Sequence, residues 1–410
     1  MLKMQRGDGT IVVGAGPCGC FAAFKMAQKG LDVDVFEEHR ELGLPSHCAG
    51  HVSIKGLRDL GLYPLPNRIV ENVFRGASFF SPCGRSFNIR FANPVTCTVN
   101  RELFDKYLGH LAESAGARVN LGCRVEALTV EEGSASGILF EKKGRIETKS
   151  ADVVVDAEGV SSRLLRQFGL PILNRDMTVM GVEAEVDNCV DVIDDEVEVF
   201  VGAAYAPCFY GWLIPRHDGS AKVGLASKGG NPLDYLQRLM RKHPVASKQL
   251  SHAKVLSRSV HPISLGGPIP SLCGDGFVAV GDVASQVKPT TGGGVILGLN
   301  CASIVSEVVK KASGMDDFSI EQLSEYQRRC SRLIGFDMRV MQIIRNTLNE
   351  LSDRRLDDLI LFCSRFHVDE ALGNVSDLDL QGRGLLGAML DPRMLVAVGY
   401  FLLICLSTNP

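Results

Sequence analysis

Residues 10–39 read TIVVGAGPCGCFAAFKMAQKGLDVDVFEEH. A β-branched run ends at Gly14-x-Gly16-x-x-Gly19, an alanine-rich amphipathic stretch follows, and a second apolar run closes on Glu37. This order predicts a strand, a tight turn, a helix and a parallel strand, the βαβ unit that holds a dinucleotide. Gly14 permits the turn, Gly16 lets backbone approach a pyrophosphate, and Gly19 lets the helix sit close to the strand. The helix N-terminus favours negative charge, and Glu37 suits a ribose diol. The triad leaves FAD and NAD both open.

Two distant segments decide between them. ADVVVDAEGVSSRLLRQFG, residues 151–169, reads as a strand ending in an acidic, glycine-containing turn before a helix. GDGFVAVGDVASQVKPTTGGGVILGLNCA, residues 274–302, runs from a strand into Gly281-Asp282 and then a glycine loop that opens another helix. Asp282 at a strand end can accept hydrogen bonds from ribityl hydroxyls. The helix start aims free amides at the electron-rich edge of a reduced flavin. NAD enzymes need neither, so FAD is expected.

With 410 residues the chain can form two or three packed units. Its net charge of -3 is not a nucleic-acid footprint, so no nucleic-acid partner is expected. The thirteen cysteines are odd in number and scattered, and MLKMQRGDGT at the start lacks an apolar core, which points to a reducing cytosol and mostly buried thiols. Cys18 and Cys20 have no second ligand pair nearby, so no metal is expected. Cys301 and Cys330 would pair only if the fold brought them together.

These motifs resemble the flavoprotein family that includes p-hydroxybenzoate hydroxylase, and within it the geranylgeranyl reductases of archaeal lipid and chlorophyll biosynthesis. The match covers about the first 315 residues. The motifs are VVGAGPCG with Glu37, VNRELFDKYL, DAEGVSSRL and GDVASQVKPTTGGG. The resemblance implies FAD contacts from Gly14, Ala15, Gly16, Pro17, Gly19, Glu37 and Glu38 in the first βαβ unit. Further contacts are implied at Cys48, Ala49, Arg101, Arg124, Val125, Glu158 and Gly159, and at Asp282, Gly293, Gly294 and Val295. Two positions depart from the family pattern: Glu158 stands where an aspartate is usual, and Ser285 where a glycine is.

FYGWLIPRHDGSAKVGLAS, residues 209–227, reads as a hairpin with RHDGS as its turn. It resembles the reductase pattern Y-x-W-x-F-P followed by V-G-x-G. Tyr210, Trp212, Pro215, Val223 and Gly224 match, while Ile214 and Ala226 differ. Flavin-dependent halogenases carry W-x-W-x-I-P here, and Tyr210 argues against them. Trp212, the chain's only tryptophan, either packs in the core or lines a lipid tunnel.

The stretch GLPSHCAGHV, residues 43–52, resembles the reductases' G-x-P-x-x-C segment through Gly43, Pro45 and Cys48. The resemblance puts this thiol near the flavin ring. An ordinary thiol is a weak acid toward an alkene, so positioning water, gating the pocket or contacting flavin are the roles expected of Cys48, with proton donation as the stronger claim. His47 and His51 read as loop-lining residues.

The fold class expected is mixed α/β: a Rossmann-like FAD-binding domain from residues 1–75, 98–175 and 265–315, an antiparallel substrate sheet from 76–97 and 176–264, and a helical C-terminal cap over 316–410. The activity implied is saturation of isoprenoid double bonds, with Cys48, Tyr210 and Trp212 on the substrate side and NAD(P)H or a reduced ferredoxin as electron donor. A long-chain isoprenoid lipid is the expected partner. A monooxygenase or halogenase of the same fold and a flavin-free prenyl-binding escort protein are the competing readings. MLVAVGYFLLICLS, residues 394–407, is shorter than the roughly 20 apolar residues that cross a bilayer. It either packs on the cap or touches the inner face of the cell membrane from the cytoplasm.

Overall fold

The computed structural model describes residues 9–373, 375 and 377–406. Residues 1–8 of the opening segment and Ser407 of the last apolar stretch lie outside them. The chain forms two compact units. One comprises Met1–Ser46, Arg101–Asp176 and Ser264–Met338, and the other His47–Asn100, Met177–Ile263 and Arg339–Pro410.

The first unit is built on a six-stranded sheet in the order Cys273–Gly274, Phe277–Ala279, Val153–Asp156, Thr10–Val13, Val33–Glu37, Arg118–Leu121. The last five run parallel, and Cys273–Gly274 is antiparallel to its neighbour. Thr10–Val13 and Val153–Asp156 are buried at every position, as strands covered on both faces must be. Helix Pro17–Gln28 packs against helices Arg101–Ser114 and Val295–Met315. Close approach requires small residues: a Cβ on Gly298 would lie 2.3 Å from the Cys18 sulfur. Cys123–Glu131, Ser134–Lys142 and Arg145–Ser150 form a separate antiparallel meander.

The second unit holds a seven-stranded sheet in the order Lys254–Ser264, Thr178–Asp187, Ala221–Ser227, Tyr210–Pro215, Glu196–Val201, Gly76–Phe80, Ser86–Arg90. Period-two alternation sends Val182, Ala184, Leu213, Val223 and Leu225 to one face, where they pack with Leu236 and Leu239 of helix Pro232–Lys242. Each of these buried valines and leucines contributes about 1.5–3 kcal/mol. Asn231 caps that helix by accepting from the Leu233 N–H at 3.1 Å, and Pro232 occupies its first turn. The opposite face carries Tyr210, Trp212, Glu183 and Lys222.

The units divide the chain at other places than the pattern of motifs does. Residues 47–75 go to the second unit, because His51–Ser53 and Val70–Phe74 both pair with Thr96–Val99. The C-terminal region is not a separate cap. The 31-residue helix Ile320–Glu350 contains the division after Met338, and the helices beyond it bury Ile360, Val368, Ala371, Ala388, Met394 and Ala397 with Phe87 of the second unit's sheet. Helix Pro392–Leu406 buries Met394, Ala397 and Ile404 and exposes Leu395, Val396, Leu402 and Leu403. Among the described residues no single helix is long and apolar enough to cross a membrane.

Candidate flavin and substrate site

The glycine triad takes the geometry its spacing requires. Gly14 has φ +94°, and a Cβ there would lie 2.5 Å from the Ala157 carbonyl. A Cβ on Gly19 would lie 2.0 Å from the Gly14 carbonyl, whereas nothing stands within 4 Å of one on Gly16. Gly14 and Gly19 are therefore closed by protein, and Gly16 faces open space at the start of the helix, with Pro17 as its first residue. Glu37 lies at the end of its strand. One oxygen accepts the Ala15 N–H at 2.8 Å, and the other accepts the His39 N–H at 2.9 Å and contacts the His39 ring at 2.6 Å. Beyond it a cleft of about 610 Å³ is lined by Glu38, His39, Arg40, Arg124 and Lys143, among others, so Glu38 and Arg124 flank the same opening.

The other predicted contacts of this unit are braced by their neighbours. Arg101 grips Asp105 through two hydrogen bonds, 3.1 and 3.0 Å. Burial pushes the Asp105 carboxyl up, and the guanidinium opposes that shift. Burial likewise raises Asp282, against the pull of the Arg101 charge. A Cβ on Gly294 would meet Asp282 Oδ1 at 2.9 Å, so the glycine loop lies against the acid. Gly293 lies in that loop, its carbonyl accepting the Lys288 N–H at 3.2 Å, and Val295 opens a 21-residue helix with no side-chain cap. Val125 is buried, and its carbonyl accepts from Arg163.

Both departures from the family pattern have a physical account. Glu158 reaches forward to accept the Leu164 N–H at 2.8 Å, bracing the helix that follows Gly159. Ser285 holds φ +53°, the left-handed region that favours glycine, and its hydroxyl pairs with that of Ser264 at 2.8 Å. Cys18 fills the space left by Gly281 and Gly298. Cys301 and Cys330 do meet, as free thiols in hydrogen-bond contact. Gly43, at φ +78°, lies where a Cβ would strike Glu102 Cα at 2.7 Å.

The cradle fits FAD on these observations: open backbone at Gly16, carboxylates at two strand ends, and a glycine loop leading into an uncapped helix N-terminus.

In the second unit Cys48 is exposed, and its sulfur accepts the Gly50 N–H at 3.4 Å. Ala49 and Trp212 both pack against the buried cluster of Phe74, Val197 and Ile214. Tyr210 and Trp212 stand edge to face, 6.0 Å between ring centres, and Phe209 stacks on Tyr210 at 4.4 Å. Burial pushes the Tyr210 phenol up to about 12. The hairpin turn falls at Arg216–Ser220 as expected, with Gly219 at φ +83°. His47 stacks on His261 and His51 bonds the Thr96 hydroxyl at 2.7 Å.

Several residues in these regions escape motif reading. The Trp212 indole N–H donates to Glu183 at 3.0 Å, and Lys222 joins Glu71 at 2.6 Å. Arg345 lies buried over the Phe209 ring at 4.7 Å, and burial lowers its pKa to about 10. Gln286 accepts the Gly281 N–H at 2.8 Å and donates to the Tyr326 hydroxyl at 2.8 Å, holding the Gly281-Asp282 turn from below. A lysine inside the apolar run AKVGLAS was the one available signal of a buried ion pair.

A family model described as FAD binding domain matches residues 9–228. The chain is 33% identical over 355 residues to digeranylgeranylglycerophospholipid reductase 2 of Methanopyrus kandleri, covering 85% of this chain and 88% of that one. It is 32% identical over 377 residues to the digeranylgeranylglycerophospholipid reductase of Methanocaldococcus jannaschii, covering 90% and 92%. The chain belongs to the geranylgeranyl reductase family. The crystal structure of a geranylgeranyl bacteriochlorophyll reductase-like protein from Thermoplasma acidophilum aligns over 97% of this chain and 100% of that one, with a TM-score of 0.86 and 25% identity. A flavin-dependent brominase aligns over 97% of this chain and 98% of its own with a TM-score of 0.71, but at 17% identity that likeness is one of fold alone. As a geranylgeranyl reductase family member the chain carries a FAD-binding domain and is an oxidoreductase at family level.

Proposed function

We propose that the protein is a FAD-dependent reductase that saturates the C=C bonds of geranylgeranyl chains in membrane-lipid precursors. The observations that support this reading are the glycine cradle of the first unit and, in the second, the Tyr210-x-Trp212 strand with its edge-to-face rings. Reduced FAD, when bound, supplies a hydride to one alkene carbon. A proton reaches the other carbon, so each bond gains two hydrogens and the donor loses two electrons. Gly16, Glu37, Arg101 and Asp282 hold the cofactor; Tyr210 and Trp212 present apolar ring faces to the chain and orient one double bond at a time. Cys48 orders water or shapes the pocket wall beside them. NAD(P)H or reduced ferredoxin is the donor. Glu37, its carboxylate engaged by Ala15 and His39, and the cleft beyond it take the adenosine end, with Glu38 and Arg124 at its rim.

The protein works from the cytoplasm at the inner membrane face, where exposed Leu395, Val396, Leu402 and Leu403 give helix Pro392–Leu406 apolar contact with lipid. Incubation of dithionite-reduced enzyme with a geranylgeranylated glycerophospholipid should add two mass units per bond reduced. A product of unchanged mass, or one gaining an oxygen atom, would overturn the reading.

A further inference from the structure

Three strands of the second unit place one row of side chains across the face of its sheet opposite helix Pro232–Lys242. Trp212 and Glu183 both stand opposite Gly224, from the two flanking strands. Lys222, two residues before Gly224, shares that face and stands opposite Glu185. The indole lies across Gly224, where a Cβ would come within 2.5 Å of Cζ2 and 2.6 Å of Cε2. Its N–H donates to Glu183 at 3.0 Å. Lys222 is buried and donates to Glu71 at 2.6 Å and to the Ala49 carbonyl at 3.0 Å. Arg216 joins the other oxygen of Glu71 at 3.5 Å and also bonds Glu185. One charge network thus runs from Ala49, the residue after Cys48, through Lys222, Glu71 and Arg216 to Glu185, two residues along the strand from Glu183.

We propose that Glu183 and Lys222 are positioning residues: Glu183 fixes the plane of the Trp212 ring, and Lys222 fixes the Cys48–Ala49 turn through the Ala49 carbonyl. An indole alone on a glycine could pivot about its χ2 angle, and a carboxylate acceptor selects one orientation. Cys48 is exposed in its turn, and the buried Lys222 ammonium anchors the next residue's carbonyl to the sheet. The catalytic consequence rests on the reading of this face as the isoprenoid site, but the positioning itself does not.

The two positioning readouts use the holoenzyme without lipid, and lipid is added only for kcat/KM. Trp212 emission and its anisotropy report the ring, and the alkylation rate of the Cys48 peptide by iodoacetamide, followed by mass spectrometry, reports the turn. Glu183→Leu should shift the emission and lower the anisotropy, while Glu183→Gln, which keeps an acceptor, should restore both. Lys222→Met should change Cys48 alkylation severalfold, with Lys222→Arg nearer the parent, and both Glu183→Leu and Lys222→Met should lower kcat/KM by roughly ten- to a hundredfold. Folded Glu183→Leu protein with parental emission, or folded Lys222→Met protein whose alkylation matches the parent, would overturn the proposal. Altered emission and alkylation in an enzyme that reduces no isoprenoid would uphold it and sink the functional reading instead.

Discussion

The flavin cradle of the first unit and the aromatic face of the second are made of different material. The turn at the heart of the cradle is shaped by backbone: the Ala157 and Gly14 carbonyls stand where side chains on Gly14 and Gly19 would go, and Gly16 is left open. The aromatic face is side chain, held by ion pairs that join Glu71 to Lys222 and Arg216 and by the hydrogen bond from the Trp212 indole to Glu183. A site closed by backbone leaves no room for added atoms at Gly14 or Gly19. A side-chain site can absorb small changes of volume but fails when a buried charge loses its partner.

That contrast is broken most severely at Gly19. A Gly19→Val chain should lose bound flavin altogether, read from the absorbance of purified protein, because the helix cannot approach the strand. Gly16→Ala should keep the parental melting temperature yet bind FAD more weakly, since its Cβ enters only open space. Equal FAD affinity in Gly16→Ala and the parent would remove the cradle assignment.

On the second unit, Lys222→Met leaves Glu71 beside a weaker partner in a half-dry setting and should cost about 3 kcal/mol in urea unfolding. A loss under about 0.5 kcal/mol, the range of an ordinary surface change, would mean the pair is solvated.

The pH dependence sharpens the same comparison. Burial pushes Glu198 up from its ordinary 4.5 to about 7, though Gln249 donates to it at 2.6 Å. The folded chain holds this proton between about pH 4.5 and 7 while the unfolded chain has released it. The stability so gained is full below the unfolded value and is lost as pH rises through about 7. Glu198→Gln should therefore raise stability at pH 8 by up to about 3 kcal/mol and change little at pH 4.5. An equal gain at both pH values would assign the effect to packing. The smallest expected effect is at Cys48. Cys48→Ser should retain FAD and slow single-turnover alkene reduction about tenfold, near 1.4 kcal/mol, and an undiminished rate would remove any part for this thiol in the reaction.

The first turn of the cradle was legible in the sequence because its tightest constraint is local: Gly14 and Gly19 stand five residues apart, and a Cβ on Gly19 would strike the Gly14 carbonyl. The hairpin at 209–227 was legible for the same reason, its turn chemistry being carried by Asp218, Gly219 and Ser220. The charge network was not. Lys222 meets Ala49 and Glu71 across 173 and 151 residues, and alternation within a strand says which face a residue takes but not what stands opposite. The division of the chain into units escaped for a related reason, since Thr96–Val99 gathers both its partners by ladder pairing that no motif marks.

The central claim, hydride delivery to an isoprenoid double bond, is tested most directly by anaerobic stopped-flow mixing of the reduced holoenzyme with geranylgeranylated glycerophospholipid. Flavin absorbance that returns on mixing, at a rate saturating with lipid and with no oxygen present, is the predicted result. Flavin that stays reduced across geranylgeranyl lipids and geranylgeranyl diphosphate, and is reoxidised only when oxygen enters, would contradict it.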